Sequence, residues 1–260
     1  MNIMSILALA LALTVFFWSM LTSTDDPTRF VDIHGIVIVF AGTFAAASIS
    51  FQIDRVLLMI KVFATRTLMG GKPNYIKLIK ELMVLADAYR TESPGLKGLV
   101  DKSKDPFLKE AMTALMDELV ETDHLIKILK RRVNTMYNRY HGDAMKFESM
   151  GKYPPAMGLM GAVMGMIALL GGLGKPGAEK TVGPSMSIAL VATFYGIAFA
   201  NLVVIPIGEN LAEGAKEMKI KNLIIVEGVK LISKRTNPIV LAEELNSFLL
   251  PRERVDAKSK

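Results

Sequence analysis

Residues 154–211 constrain this chain more than any other stretch. They hold two apolar runs of membrane-crossing length joined by a short polar break: PPAMGLMGAVMGMIALLGG, then VGPSMSIALVATFYGIAFANLVVIPIGENL. Lipid contact alone asks for Leu, Ile, Val and Phe. This stretch instead spaces small residues three or four apart, with Gly158, Gly161 and Gly165 in the first run and Ala192, Gly196 and Ala200 in the second. Such spacing lets helix backbones approach closely inside a membrane, and intramembrane hydroxyls and amides need partners. The two runs therefore predict helices that pack on other helices, with Ser185, Ser187, Thr193 and Asn201 as the polar groups of the second.

Two further apolar runs precede them. Ile3 to Leu21 is 19 residues without a charge, close to the roughly 20 that a spanning helix needs. No basic residue precedes it, which predicts an uncleaved span rather than a signal peptide. Ile33 to Phe51 is the second, with Gly35, Gly42 and Ala45 to Ala47 as small positions and Asp32 and His34 as an interfacial cap. The expected fold class is all-α: a polytopic membrane protein with four transmembrane helices and long cytoplasmic helices.

The expected organisation has four segments. Residues 1–53 hold spans one and two with a short outer loop, 54–153 a helical cytoplasmic domain, 154–211 spans three and four, and 212–260 cytoplasmic helices and a charged tail. In the second segment Leu57 to Val62 extends span two. Tyr75 to Tyr89 is amphipathic, with Ile76, Ile79, Leu82, Met83 and Ala86 on one face. Asp105-Pro106 caps and starts a helix that nothing in the sequence stops before Tyr140, its stripe running through Met112, Leu115, Met116, Leu119, Leu125, Ile126 and Leu129. In the last segment a helix over Leu223 to Ile232 ends at Asn237-Pro238, a short helix covers Val240 to Leu249, and the tail PRERVDAKSK is expected to be disordered.

The net charge of +6 could suggest nucleic acid, but its placement argues for a membrane. Of the 31 Lys and Arg, 28 fall in residues 54–153 and 208–260, and three in the two short loops. The positive-inside rule puts the basic side, and both termini, in the cytoplasm. No nucleic-acid role is expected.

Enzyme motifs fail on inspection. There is no Cys and only three scattered His, so thiol chemistry and Cys- or His-rich metal sites are excluded. Gly172-Leu-Gly174-Lys-Pro-Gly177 fits G-x-G-x-x-G by letter but follows an apolar helix where a strand is required. It is no Walker A loop either, since position 169 is Leu and Pro176 follows Lys175. No catalytic residue, metal site or cofactor is expected.

No Asp, Glu, Lys, Arg or His lies in the interior of any of the four runs; His34 and Glu209 sit at ends. A protein that moves protons through a bilayer needs an ionisable group at depth. If this chain conducts, a partner brings the carboxylate and this chain supplies the wall. Thr193 can line such a path, since a hydroxyl both donates and accepts, or can bond the carbonyl one turn back. Pro206 and the Pro154-Pro155 pair can mark simple kinks or hinges.

On the words Pro155-Ala-Met-Gly158, Gly161-Ala-Val-Met-Gly165, Val182-Gly-Pro-Ser185, Ala192-Thr-Phe-Tyr-Gly196, Ala200-Asn201 and Pro206-Ile, the chain resembles the flagellar stator A-subunit family (MotA/PomA type) of the wider MotA/TolQ/ExbB group. The order of spans and the long loop between spans two and three fit as well. The resemblance implies a bacterial inner-membrane homo-oligomer, a ring of five, around a B-type partner. That partner has one membrane helix bearing an essential Asp and a peptidoglycan-binding domain. Ion flow would turn the ring, and its cytoplasmic part would push a rotor switch protein. By the same resemblance Thr193, Ala162 and Asn201 belong to the ion pathway and Pro155 and Pro206 to the conformational hinge. Gly158, Gly161, Gly165, Gly196 and Ala200 serve helix packing. Sodium-driven members carry Thr where this chain has Ala162, so the implied ion is H+ rather than Na+. The rotor-contact word is the weaker match: Arg90 and Asp101 fill its charged positions only with a small insertion. The alternative is a TolQ/ExbB-like energiser of an envelope process, whose members usually have three spans.

Overall fold

The computed structural model describes residues 3–23, 26–69, 73–118, 120–174 and 176–255. Among them the chain is helical, with no strand. The α-helices are α1 (Ile3–Thr22), α2 (Ile33–Ser50), α3 (Ile53–Met69), α4 (Tyr75–Arg90), α5 (Leu96–Lys102), α6 (Pro106–Met116), α7 (Thr122–Ser149), α8 (Tyr153–Gly172), α9 (Glu179–Phe199), α10 (Ile205–Ser233) and α11 (Pro238–Asn246). A 3-10 turn, Met150–Lys152, links α7 to α8, and a π-helical turn, Ala200–Val204, links α9 to α10. Three helical stretches are long and apolar enough to cross a membrane: Ile33–Ser50, one within Thr122–Gly172 and one within Glu179–Ser233. α1 is apolar but is not among these three.

The chain divides into two compact units. One comprises residues 1–71 and 141–213 and contains the apolar helices. Asp32 caps α2 by accepting the Gly35 amide at 2.9 Å, as expected. Span two does not continue past its end. Phe51 turns extended (φ −138°, ψ 150°) and α3 begins afresh at Ile53, with the Gln52 carbonyl accepting the Arg55 and Val56 amides. The reason is tertiary: Phe51 packs against a buried cluster that contains Ala47, Met59, Phe147 and Val204. A hydrogen bond from Tyr153 to the Ser50 hydroxyl (2.8 Å) ties the end of α2 to the start of α8.

The other unit comprises residues 72–140 and 214–260. Its core is large aliphatic side chains from α4, α6, α7, α10 and α11, among them Ile79, Leu82, Leu108, Met112, Leu129, Ile224 and Leu241. Each such burial contributes about 1.5–3 kcal/mol. The inward face of α4 is Leu78, Ile79, Leu82, Leu85 and Ala86; Ile76, expected to face inward, is exposed.

The long helix expected from Phe107 to Tyr140 is two helices. α6 stops at Met116 and α7 starts at Thr122, with Glu118 in the left-handed region (φ 47°). No Gly or Pro marks the break. The sequence between holds Asp117, Glu118 and Glu121, a polar gap in the stripe that lets the chain reverse and bury both Leu115 and Leu125 in one core. Leu119 lies outside the described residues. Arg132 of α7 pairs with Glu110 of α6 across this hairpin. A further helix that the sequence did not suggest, α5, begins within the expected break at TESPGLKG.

The C-terminal segment also differs from expectation. Residues 251–255 are ordered: Pro251–Glu253 form a 3-10 turn, and Val255 is buried in the core. The Asn246 side chain clasps the Val255 backbone twice, accepting its amide and donating to its carbonyl, both at 2.9 Å. The rest of the tail lies outside the described residues.

Candidate functional site

The α8–α9 pair is built on absent side chains. Gly158 lies so near α9 that an added Cβ would stand 2.8 Å from the Ala192 carbonyl oxygen. At Gly165 it would meet the Ser185 carbonyl at 2.5 Å, and at Gly196 it would collide with the carbonyl of Pro154. Real Cβ atoms do not approach backbone this closely, so the contact exists only because these positions are glycine. Gly161 faces the Ala192 methyl, and Gly35 of α2 faces the Ala192 backbone. Ala200 is buried at the start of the π turn. The five positions expected to serve packing are thus at close helix contacts or buried.

Thr193 is half-buried at this seam. Its hydroxyl donates to the Ala189 carbonyl one turn back at 3.0 Å, and lies 3.4 Å from the Gly158 carbonyl of α8. The conservative alternative, a bond one turn back, is therefore present. It uses the single proton of the hydroxyl and leaves the oxygen's lone pairs to accept. Helix geometry aims the amide of Ala162 at the same Gly158 carbonyl, so Thr193 and Ala162 lie at one level of the seam. Ala162 is half-buried and adds only a methyl.

Asn201 and Pro206 form a second group. Asn201 is exposed and its amide nitrogen donates to the Ile197 carbonyl at 2.9 Å. Eight residues separate it from Thr193, about 12 Å along a helix at 1.5 Å per residue. Pro206 enters at the start of α10 directly after the π turn, in which the Ile205 amide reaches back five residues to the Ala200 carbonyl. The sequence pointed to a kink at Pro206; the wide turn that accommodates it was not legible. π turns are uncommon and often mark functional sites. Pro155 is half-buried in the first turn of α8, where a missing amide hydrogen costs nothing.

Arg90 and Asp101 are both exposed, at 44% and 57%, and do not pair with each other. Arg90 pairs with Asp87 at 3.0 Å and Asp101 with Lys109 at 2.9 Å. The hydrogen bond and charge of Lys109 hold the Asp101 carboxyl below the usual carboxylate range. Among the described residues no three His, Asp or Glu side chains converge as a metal site would require. The G-x-G-x-x-G letters lie in the turn between α8 and α9, where Gly174 and Gly177 take positive φ. α8, not a strand, precedes them, and Lys175 lies outside the described residues.

Residues that the sequence reading passed over include Thr43, buried on α2. Its signal was a four-residue stripe, Gly35, Val39, Thr43 and Ala47, all buried on one face of α2.

The model of the MotA/TolQ/ExbB proton channel family matches residues 100–221. Motility protein A of Borreliella burgdorferi is 29% identical over all of this chain and 98% of its own length. YtxD of Bacillus subtilis is 30% identical over 84% of this chain and 79% of its own. The solved structure of C. jejuni MotAB contains a chain with the same fold, at a TM-score of 0.86 and 24% identity, with both chains covered in full. Long, well-covered likeness, joined to a seam of closely packed apolar helices, places the chain in the MotA/TolQ/ExbB proton channel family as a non-enzymatic MotA-type stator subunit.

Proposed function

We propose that this chain is the A subunit of a proton-driven flagellar stator. The observation that carries the reading is the Thr193–Gly158 contact, at the level of Ala162, set between membrane-length helices whose interiors hold no Asp, Glu, Lys, Arg or His. Such a wall needs a carboxylate from elsewhere. The relatives named Motility protein A and the MotAB complex that shares the fold support a B-type partner as its source. On this reading α1 is the fourth span, and the chain crosses the bacterial inner membrane with both termini and the basic segments in the cytoplasm. It assembles as a ring of five around the partner, whose Asp passes protons along the face of α8 and α9 that carries Thr193, Ala162 and Asn201. Pro155 and Pro206 are the hinges through which proton transfer moves the ring. Arg90 and Asp101, exposed on the other unit, meet the rotor switch protein.

Ala162 supports H+ over Na+, because a methyl offers no oxygen to a dehydrating sodium ion while a proton can pass along water. The test is a deletion strain with intact but paralysed flagella, complemented by variants. Thr193→Val should lower swimming speed roughly tenfold or more, the effect of raising a barrier by about 1.4 kcal/mol, and Thr193→Ser should restore most of it. Swimming by the deletion strain that lacks any other stator, or full function of Thr193→Val, would refute the reading. Loss of wild-type swimming in sodium-free medium would refute proton coupling alone.

A further inference from the structure

Thr43 stands apart from three other hydroxyls of the apolar helices. Thr14, Ser48 and Thr193 each donate to the carbonyl one turn back. Thr43 is 5% exposed, and its hydroxyl oxygen is buried with no partner among the described residues. A buried hydroxyl left without a hydrogen bond is costly, so such groups are satisfied by protein or by ordered water.

The register of α2 shows what lies abreast of it. Gly35 faces the Ala192 backbone, and Ala47 shares a buried cluster with Val204. Gly35 and Ala47 are twelve residues apart, and so are Ala192 and Val204. The ring of Phe40 lies 4.7 Å from that of Phe199. The two segments therefore run in parallel and in step, and Thr43, eight residues beyond Gly35, comes level with Ala200 at the head of the π turn.

That turn lacks a donor. Pro206 has no amide hydrogen, so the bond that would run to the Leu202 carbonyl four residues back, or to the Asn201 carbonyl five back, is not made. The Asn201 amide is committed to Ile197 and the Thr193 hydroxyl to Ala189. An uncommitted donor on α2 thus comes level with a turn on the fourth apolar stretch that is short of one donor.

We propose that Thr43 holds a buried water that supplies the hydrogen bond Pro206 withholds, so that α2 fixes the π form of the turn Ala200–Val204. A water has the two donors and two acceptors that join these groups, and buried polar sites of this kind hold one. Thr43 is then a positioning residue for the Pro206 turn.

The test is a double-variant cycle on the full chain in lipid nanodiscs, read by thermal unfolding. Thr43→Val removes the hydroxyl at nearly constant volume and should lower the midpoint by about 2–4 °C. Thr43→Ser should lower it much less. In a Pro206→Ala background, where an amide hydrogen is restored, Thr43→Val should have almost no effect. Equal losses in both backgrounds, or none in either, would overturn the proposal. A map that resolves ordered water decides the matter without any variant. Density bridging Thr43 Oγ1 to the Asn201 or Leu202 carbonyl is expected, and a Thr43 hydroxyl bonded elsewhere with no such water overturns it.

Discussion

The helices α8 and α9 meet backbone to backbone, whereas α4, α6, α7, α10 and α11 meet through large side chains. The contrast follows from the surroundings. In water, burying Leu and Ile is itself the driving force, so the core around Leu82, Leu108 and Leu241 is filled by bulk. Among lipid tails, hydrocarbon gains nothing by leaving hydrocarbon. Association then rests on close van der Waals fit and interhelical polar contacts, which favours Gly and Ala. Adding a side chain is harmful at one seam; removing one is harmful in the other core.

This contrast can be broken from both sides. The largest effect is expected for Gly196→Val, whose Cβ would strike the Pro154 carbonyl. Backbone cannot yield as a side-chain tip can, so the cost should reach about 3 kcal/mol or more. Little monodisperse protein should survive detergent extraction, and a wild-type yield and melting curve would contradict the backbone-contact account.

Next comes Leu108→Ala in the aliphatic core. Leu108 is fully buried, and such truncations cost about 2–5 kcal/mol. Thermal or denaturant unfolding should show the loss, and an added small apolar ligand that fills the cavity should recover part of it. A loss below the range of exposed-site substitutions would show that this core is looser than its burial implies.

The smallest effect belongs to the exposed pair Asp101–Lys109. The carboxyl titrates below the ordinary aspartate value in the folded chain because Lys109 hydrogen-bonds it. A lowered folded pKa means that its contribution is present above the unfolded value, about 3.9, and fades as pH falls through the lower folded value. Both side chains are well exposed, so the stability effect is slight. An NMR titration of Asp101 should show a depressed midpoint that Lys109→Met returns to the usual range. No change on that substitution would remove the pair as the cause.

Particular elements show where sequence reasoning reached and where it stopped. Asp105 reads as a cap from its letters alone, and it accepts the Phe107 and Leu108 amides at 2.9 and 3.1 Å. Its second role, an ion pair with Lys221 of α10, joins residues 116 positions apart, and no local pattern carries that. The glycine spacing announced close packing, yet not that Gly158 would meet Ala192 or Gly196 meet Pro154. The reversal at residues 117–121 has no Gly or Pro to announce it, because burying both flanking stripes, rather than local preference, forces the turn. Likewise Val255 looked like part of a solvated tail until the Asn246 clasp gave its backbone partners.

By itself the sequence determined which segments are apolar, which positions are small, where Pro206 removes a donor, and on which stretches the basic residues fall. These are properties of single residues and of spacing along one helix. The tertiary structure alone decided which carbonyl each glycine admits, that Thr193 spends its proton on Ala189, that a π turn absorbs Pro206, and that Thr43 is buried without a partner among the described residues. Those facts depend on which helix lies beside which, and the free energy of such contacts arises between segments far apart in the chain.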